Sequence, residues 1–304
     1  MGFFSIALYY LRTVSWVLIL MVAAAYGTVA SVFLTLIGKQ HLAQWATARF
    51  YYYAMSMLMG IDVKIINEDV LKGKPFIAVS NHQSTLDILF LGRIFPQGCT
   101  VTAKKSLKYV PFLGWFMALS GTYFLDRSNR EKSVSTLNRG LQNIREKKRA
   151  LWIFPEGTRS YSTTPKILPF KKGAFHLAQQ GQIPIVPVVI SNTSTIMCSK
   201  YNVFNRGCIT CKVLDPIPTK DLKKEEVGEL AEKVRNMMEK EIMDLGYSKA
   251  INDTNLPPEA IEYMQKNNKK PSSVESTTEY GSIKKDEATV MVSSGSNSHL
   301  EQLS

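Results

Sequence analysis

The chain of 304 residues carries 37 Lys and Arg against 25 Asp and Glu, a net charge of +12, and 45% of its residues are apolar. That balance excludes a wholly disordered chain, a collagen-like repeat and a disulfide-stapled mini-protein, and it leaves room for one large domain with appendages. The basic excess points to an anionic partner, and four irregularly spaced cysteines (Cys99, Cys198, Cys208, Cys211) point to reduced thiols in a reducing compartment.

The apolar residues are unevenly placed. Arg12 is the one charged side chain among residues 1–38, so 13–38 form an uncharged run. As a helix rising about 1.5 Å per residue, that run is about 39 Å long, enough for a hydrocarbon core of about 30 Å. Tyr9, Tyr10 and Trp16 on one flank and Lys39 on the other suit interfacial anchoring. A secretory signal fits less well: there is no basic leading region, and the run exceeds the usual apolar core of about 7–15 residues. A buried core helix is the bland alternative, though one rarely needs so long an uncharged stretch. Residues 50–61 form a second apolar patch, too short to span, which reads as an interfacial or hairpin-completing helix or as core. Whether the first run crosses the bilayer or forms a two-helix anchor in one leaflet stays open.

From residue 61 the pattern alternates. Strands are predicted at 61–66, 76–80, 100–103, 122–125, 150–154, 185–190 and 208–214. Between them, Val134, Leu137, Leu141 and Ile144 mark a helical stripe in 130–148. Val227, Leu230, Val234, Met237 and Ile242 mark another in 222–245, stopped by Gly246. Strands alternating with helices imply an α/β fold, a mainly parallel sheet flanked by helices. The stretch beyond residue 271 is polar and poor in aromatics, the composition of a disordered tail. The expected organisation is membrane-anchoring helices in 1–60, the α/β domain in 61–250, and a linker and disordered tail in 251–304.

Three segments carry candidate chemistry. The strand at 76–80 runs into Asn81-His82-Gln83-Ser84-Thr85-Leu86-Asp87. On one continuous helix an offset of five is about 500°, so His82 and Asp87 would point roughly 140° apart. They can meet if His82 sits in a strand-to-helix turn and the helix begins near Ser84, which the S-x-x-D pattern of a helix start favours. Asp87 then reads as a capping carboxylate or as the orienter of a base, and His82 as a turn histidine or as that base. Lys104, Lys105 and Lys108 suit contact with an anion or a solvated basic face, and Asp126-Arg127 alone is a surface pair. Phe154-Pro155-Glu156-Gly157-Thr158-Arg159-Ser160 follows another strand. Its Pro and Gly enforce a turn that exposes N–H groups beside Arg159, whose planar guanidinium suits a phosphate, with the Thr158 and Ser160 hydroxyls adding donors. The bland reading is an ordinary turn with an exposed Arg.

Other chemistries fail by absence. The sequence has no G-x-S-x-G elbow, no G-x-x-x-x-G-K-[ST] loop and no G-x-G-x-x-G fingerprint. In a strand, Cys208 and Cys211 point to opposite faces, so no metal is expected there. Nucleic-acid binding is not expected either, because the lysines are scattered.

In their order, NHQSTLD, GTYFLDR, FPEGTRS and IVPVV resemble the glycerolipid acyltransferase family, and within it the fungal 1-acyl-sn-glycerol-3-phosphate acyltransferases. The likeness covers roughly residues 9–263 and departs from the usual second block in having Leu125 at its aliphatic position. It implies transfer of an acyl chain from acyl-CoA, as co-substrate and without a cofactor, to the sn-2 hydroxyl of lysophosphatidic acid, in phospholipid and triacylglycerol synthesis. It also implies His82 as general base and Asp87 as its orienter. Arg127, Glu156, Gly157, Thr158 and Arg159 belong to the acceptor-linked blocks, with Lys104 and Lys105 as further candidates and Pro187 in the proline block. Positioned-base help to an alcohol attacking a thioester is typically worth about 10²–10⁴ in rate. The turn at Gly157 is a candidate N–H donor to the tetrahedral oxyanion. The expected setting is the endoplasmic reticulum membrane, with lipid droplets as a second address, the catalytic face toward the cytosol and membrane lipids as neighbours. Removing residues 1–38 is then expected to lower activity on bilayer substrate more than on dispersed substrate. The alternatives are another acceptor, such as glycerol 3-phosphate or another lysophospholipid, and a non-catalytic anionic-lipid-binding membrane protein.

Overall fold

The computed structural model describes residues 3–126, 130–251 and 255–268. Two helices, α1 (Phe3–Leu36) and α2 (Ala43–Met59), lead into β1 (Ile61–Ile66) and β2 (Phe76–Ser80). Then follow α3 (Asp87–Ile94), β3 (Cys99–Lys104), α4 (Leu113–Leu119), β4 (Tyr123–Leu125), α5 (Arg130–Glu146), β5 (Ala150–Ile153), α6 (Gly173–Gly181) and β6 (Ile185–Ile190). A small hairpin of β7 (Met197–Cys198) and β8 (Val203–Phe204) precedes β9 (Gly207–Val213), α7 (Val227–Leu245), β10 (Lys249–Ala250) and α8 (Pro258–Asn268). The main sheet runs β1-β9-β6-β2-β5-β3-β4, with β10 beside β9. All its pairings are parallel except β6–β9 and β9–β10.

The central strands are apolar on both faces, as a parallel sheet covered by helices requires. Phe76 and Ala78 of β2, Ala150 and Trp152 of β5, and Val186, Val188 and Ile190 of β6 belong to one core with α1, α2 and α3. Their alternates Ile77, Val79, Leu151, Ile153, Ile185 and Val189 belong to a second core with α5, α6 and α7. The fold is therefore three-layered. Leu137, Leu141 and Ile144 of the α5 stripe pack on that second core, while the side chain of Val134 lies outside the described residues. Helix α7 ends at Gly246, as expected, with φ +61. Cys208 is half-buried and Cys211 buried, as alternate positions of β9 dictate, and all four cysteines are free.

Two expectations about organisation change. The α1–α2 pair is not a separate anchor, because Ile19, Ala23, Tyr51 and Met55 sit in the same core as β2 and β5. The fold also continues past residue 250: α8 packs with Ala260 fully buried and Tyr263 against Tyr247, ring centroids 5.1 Å apart. Residues 269–304, which include the predicted disordered tail, lie outside the described residues. Of the described helices, residues 4–36 alone are long and apolar enough to cross a membrane, at mean hydropathy 2.3, and most of that surface is exposed.

Candidate active site

The site forms where chain order and sheet order part. Strand β2 leaves through α3 toward β3, over one face; β5, its immediate neighbour, leaves through α6 toward β6, over the other. The carboxyl ends of two adjacent parallel strands that diverge in this way open a crevice. Register brings the motifs together: Val79 lies opposite Ile153, so the segments starting at Asn81 and Phe154 emerge side by side. Main-chain bonds then zip them, Ser160 N–H donating to His82 O and Tyr161 N–H to Gln83 O, both at 2.9 Å.

His82 and Asp87 meet. His82 Nδ1 lies 2.6 Å from Asp87 Oδ2, and that oxygen also accepts N–H bonds from Gln83 at 2.7 Å and Ser84 at 3.2 Å. Helix α3 begins at Asp87 itself rather than near Ser84, with residues 84–86 in a turn, so Asp87 caps its own approach as well as holding the ring. A carboxylate against Nδ1 requires the proton there and leaves the Nε2 lone pair available. Burial pushes the Asp87 carboxyl up, opposed by His82 and by the N–H groups of Gln83 and Ser84. The imidazole stacks on Phe154 with centroids 4.1 Å apart. Phe154 is thus a positioning side chain that motif reading passes over; its only sequence signal is its place at the end of a strand beside the turn.

Asn81 and Gln83 were likewise not singled out from sequence. They alternate with His82 and face away from it. Asn81 exchanges two bonds with the main chain of Ile190, and the Gln83 amide bonds to Ile190 O, Ser191 O and Thr193 N. These bonds fix the loop to the end of β6 at Ile190 and just beyond; Pro187, inside that strand, sits in register with Val79.

The acceptor-linked residues separate into two groups. His82, Asp87, Lys104, Thr158 and Arg159 line one cavity of about 480 Å³. Arg159 forms no ion pair among the described residues; its guanidinium approaches only the Tyr161 hydroxyl, at 3.4 Å, which leaves it free for an anion. Glu156 is different. Only 4% exposed, it does not line the cavity: Oε1 accepts the His82 N–H at 2.6 Å and Oε2 the Leu168 N–H at 3.2 Å. Burial pushes its carboxyl up to about 7, with the Asp87 charge adding to the rise, against the two N–H donors and Arg235. The geometry therefore points Glu156 at the main chain of His82 and Leu168 and away from the cavity in which an acceptor would sit. Gly157 takes the turn at φ +69 that its lack of Cβ permits, but its N–H donates to Phe154 O at 3.1 Å. That bond removes it as an oxyanion donor. Lys105 stands outside the cavity wall, paired with Asp126 at 3.1 Å, and Arg127 lies outside the described residues.

Beyond these polar groups the cavity is apolar. It runs between α1, α2, α3 and α4 along Leu20, Ala24, Ala48, Leu91 and Phe116, and it reaches Gln44 and Thr122. The arrangement offers a candidate base, an anion contact and an apolar volume in one space. Among the described residues there is no cluster of three His, Cys, Asp or Glu able to hold a metal.

Residues 62–191 match the Acyltransferase family. The chain is 65% identical over 256 residues to the 1-acyl-sn-glycerol-3-phosphate acyltransferase of Saccharomyces cerevisiae, covering 84% of each protein. It is 39% identical over 165 residues to the human 1-acyl-sn-glycerol-3-phosphate acyltransferase alpha, covering 54% of this chain and 58% of that one. The crystal structure of the 1-acyl-sn-glycerophosphate acyltransferase PlsC of Thermotoga maritima shares the fold, with a TM-score of 0.52 at 23% identity, over 72% of this chain and 95% of that one. The chain belongs to the 1-acyl-sn-glycerol-3-phosphate acyltransferase family.

Proposed function

We propose that this protein transfers an acyl chain from acyl-CoA to the sn-2 hydroxyl of lysophosphatidic acid, giving phosphatidic acid and CoA. The observation that carries the reading is the His82–Asp87 pair opening into the same apolar cavity as Arg159, which has no ion-pair partner among the described residues. His82 Nε2 accepts the hydroxyl proton as the alcohol oxygen bonds to the thioester carbonyl carbon. The tetrahedral intermediate then collapses with cleavage of the C–S bond, and the imidazolium returns the proton to the departing CoA thiolate. Asp87 holds the tautomer and stabilises the imidazolium while it exists. Arg159 and Lys104 hold the acceptor phosphate, and the apolar cavity takes an acyl chain.

The same reading makes α1 an in-plane anchor, not a span. Arg12 donates to Met59 O at 2.6 Å, and the Thr28 hydroxyl to Phe112 O at 3.2 Å. Those residues lie about 24 Å apart along a helix, so α1 is fastened to the catalytic domain over that length. Its outward apolar face is left for one leaflet. The four free thiols suit a cytosolic face, with the endoplasmic reticulum and lipid droplets as proposed addresses.

The test is CoA release by purified protein offered lysophosphatidic acid, glycerol 3-phosphate and neutral lysophospholipids in competition. Lysophosphatidic acid should dominate, His82→Ala should lower kcat by about 10²–10⁴, and Arg159→Ala should raise the KM for the acceptor with a smaller effect on kcat. Undiminished turnover by His82→Ala would refute the mechanism. Equal use of neutral acceptors would refute the acceptor assignment.

A further inference from the structure

Residues 104–119, which connect β3 to β4 through α4, have two unlike sides. Inward, Leu107, Leu113, Phe116 and Met117 form a wall of the cavity that holds His82 and Arg159. Outward, Tyr109, Phe112, Trp115 and Leu119 are exposed, Tyr109 by 75% and Trp115 by 55%. Phe112 and Trp115 meet edge to face, 5.2 Å between centroids and 65° between planes, so they touch each other on the outer side. Lys104, Lys105 and Lys108 stand exposed at the start of the same segment. A cluster of large apolar side chains of this kind, facing out beside lysines, marks an interaction surface.

The segment is tightly built and continuous with the outward face of α1. Gly114 N–H bonds to Val110 O at 2.7 Å, and a Cβ at Gly114 would fall 2.2 Å from Lys108 O. Both ends of α4 are tied to the α1 region: Phe112 O accepts from Thr28, and Leu119 O accepts from Gln40 at 2.6 Å. Beside it, Val29 and Phe33 of α1 are exposed by 70% and 61%. Tyr and Trp with apolar neighbours and adjacent lysines are the composition that settles at the boundary between anionic headgroups and acyl chains.

We infer that the 104–119 segment is a second bilayer-inserting element, whose outer face enters the leaflet while its inner face walls the route by which a lipid acceptor reaches His82. This inference rests on α1 being the anchor and adds what α1 does not provide, a lipid-facing wall of the cavity itself. A lysophospholipid would then slide its chain past α4 without leaving an apolar environment, keeping its phosphate at the level of the lysines.

Two variants test it in the full-length protein. Flotation with vesicles of phosphatidylcholine and phosphatidic acid first reports anchoring. Tryptophan emission is then read with phosphatidylcholine brominated on its acyl chains, for wild type and Trp115→Phe. The difference between the two should be a blue-shifted emission that the brominated lipid quenches by more than half. Phe112→Glu should still float and keep its activity on detergent-dispersed acceptor, but lose most of its activity on vesicle-borne acceptor. Protein that fails to float would overturn the anchor reading and this one with it. Floating protein whose Trp115 emission is not quenched, or a Phe112→Glu variant with equal activity in both substrate forms, would overturn the insertion of this segment and leave the anchor standing. A second protein seated on the patch would give the same unquenched result.

Discussion

Two buried carboxylates flank His82, Asp87 bonded to its ring and Glu156 to its main-chain N–H. The first holds the imidazole proposed as the base; the second holds the loop that presents it. Glu156→Gln keeps an acceptor oxygen but turns an NH₂ group toward one of two N–H donors, so the loop shifts and the base is misplaced. The expected kinetic outcome is a lower kcat with the acceptor KM nearly unchanged, the reverse of Arg159→Ala, measured on the two variants side by side. A thermodynamic signature accompanies it. The Glu156 carboxyl ordinarily titrates near 4.5 and is pushed up to about 7 in the fold. Between those values the folded chain holds a proton that the unfolded chain has released. Its contribution to stability is full below about pH 4.5 and is lost as pH rises through about 7, an effect of order 3–4 kcal/mol at about 1.4 kcal/mol per pKa unit. Melting followed across that range should show the wild type losing stability relative to Glu156→Gln as pH rises. Parallel curves would contradict the assignment.

The elements that sequence reading located best are those buried on both faces. Residues 76–80 and 185–190 coincide with β2 and β6, because a short apolar run with turn residues at each end has few other ways to be satisfied; 61–66 coincides with β1 on a different signal, the alternation that buries Ile61 and Val63 and exposes Asp62 and Lys64. The β7–β8 hairpin, β10 and α8 were not foreseen, since two-residue strands and a mostly polar terminal helix carry no periodic signal. Helix α1 was legible as a helix but not in its role. An all-apolar run reads the same whether a side chain meets lipid or protein, so nothing in it showed that Ala23 belongs to the core. This changes the meaning of deleting residues 1–38: the deletion opens the core and the cavity wall along with any membrane contact. A substitution at Gly27 separates the inner role from the outer one. A Cβ there would fall 2.6 Å from Thr47 and 2.7 Å from Phe116, the place where α1 touches both α2 and α4. Gly27→Val should destabilise by about 1–3 kcal/mol, as overpacking does, and lower activity equally on dispersed and vesicle-borne acceptor. A loss confined to vesicles would mean that this helix face serves the membrane alone.

At the scale of the molecule, the candidate motifs were legible one by one and the space between them was not. The loops carrying His82 and Arg159 meet because β2 and β5 are parallel neighbours although β3, β4, α4 and α5 intervene in the chain. The cavity is still more distributed, taking walls from α1, α2, α3 and α4 at once. Its depth depends on small residues at helix crossings, Ala24 from α1 and Ala48 from α2, which in sequence look like ordinary helix formers. That dependence predicts where acyl-chain selectivity is set. A phenylalanine at position 24 would project into the apolar arm and leave His82, Asp87 and Arg159 untouched. Long donors would then have to displace a packed ring, at a cost of about 1–3 kcal/mol, whereas donors that end before it would not. Each 1.4 kcal/mol is about a tenfold change, so Ala24→Phe should lower kcat/KM for long-chain acyl-CoA by about 5–150-fold while short-chain donors keep theirs. Competition between two acyl-CoA chain lengths, read as the product ratio, measures this directly and is insensitive to how much of the variant protein is folded. An unchanged ratio would mean that the acyl chain of the donor occupies some other part of the molecule.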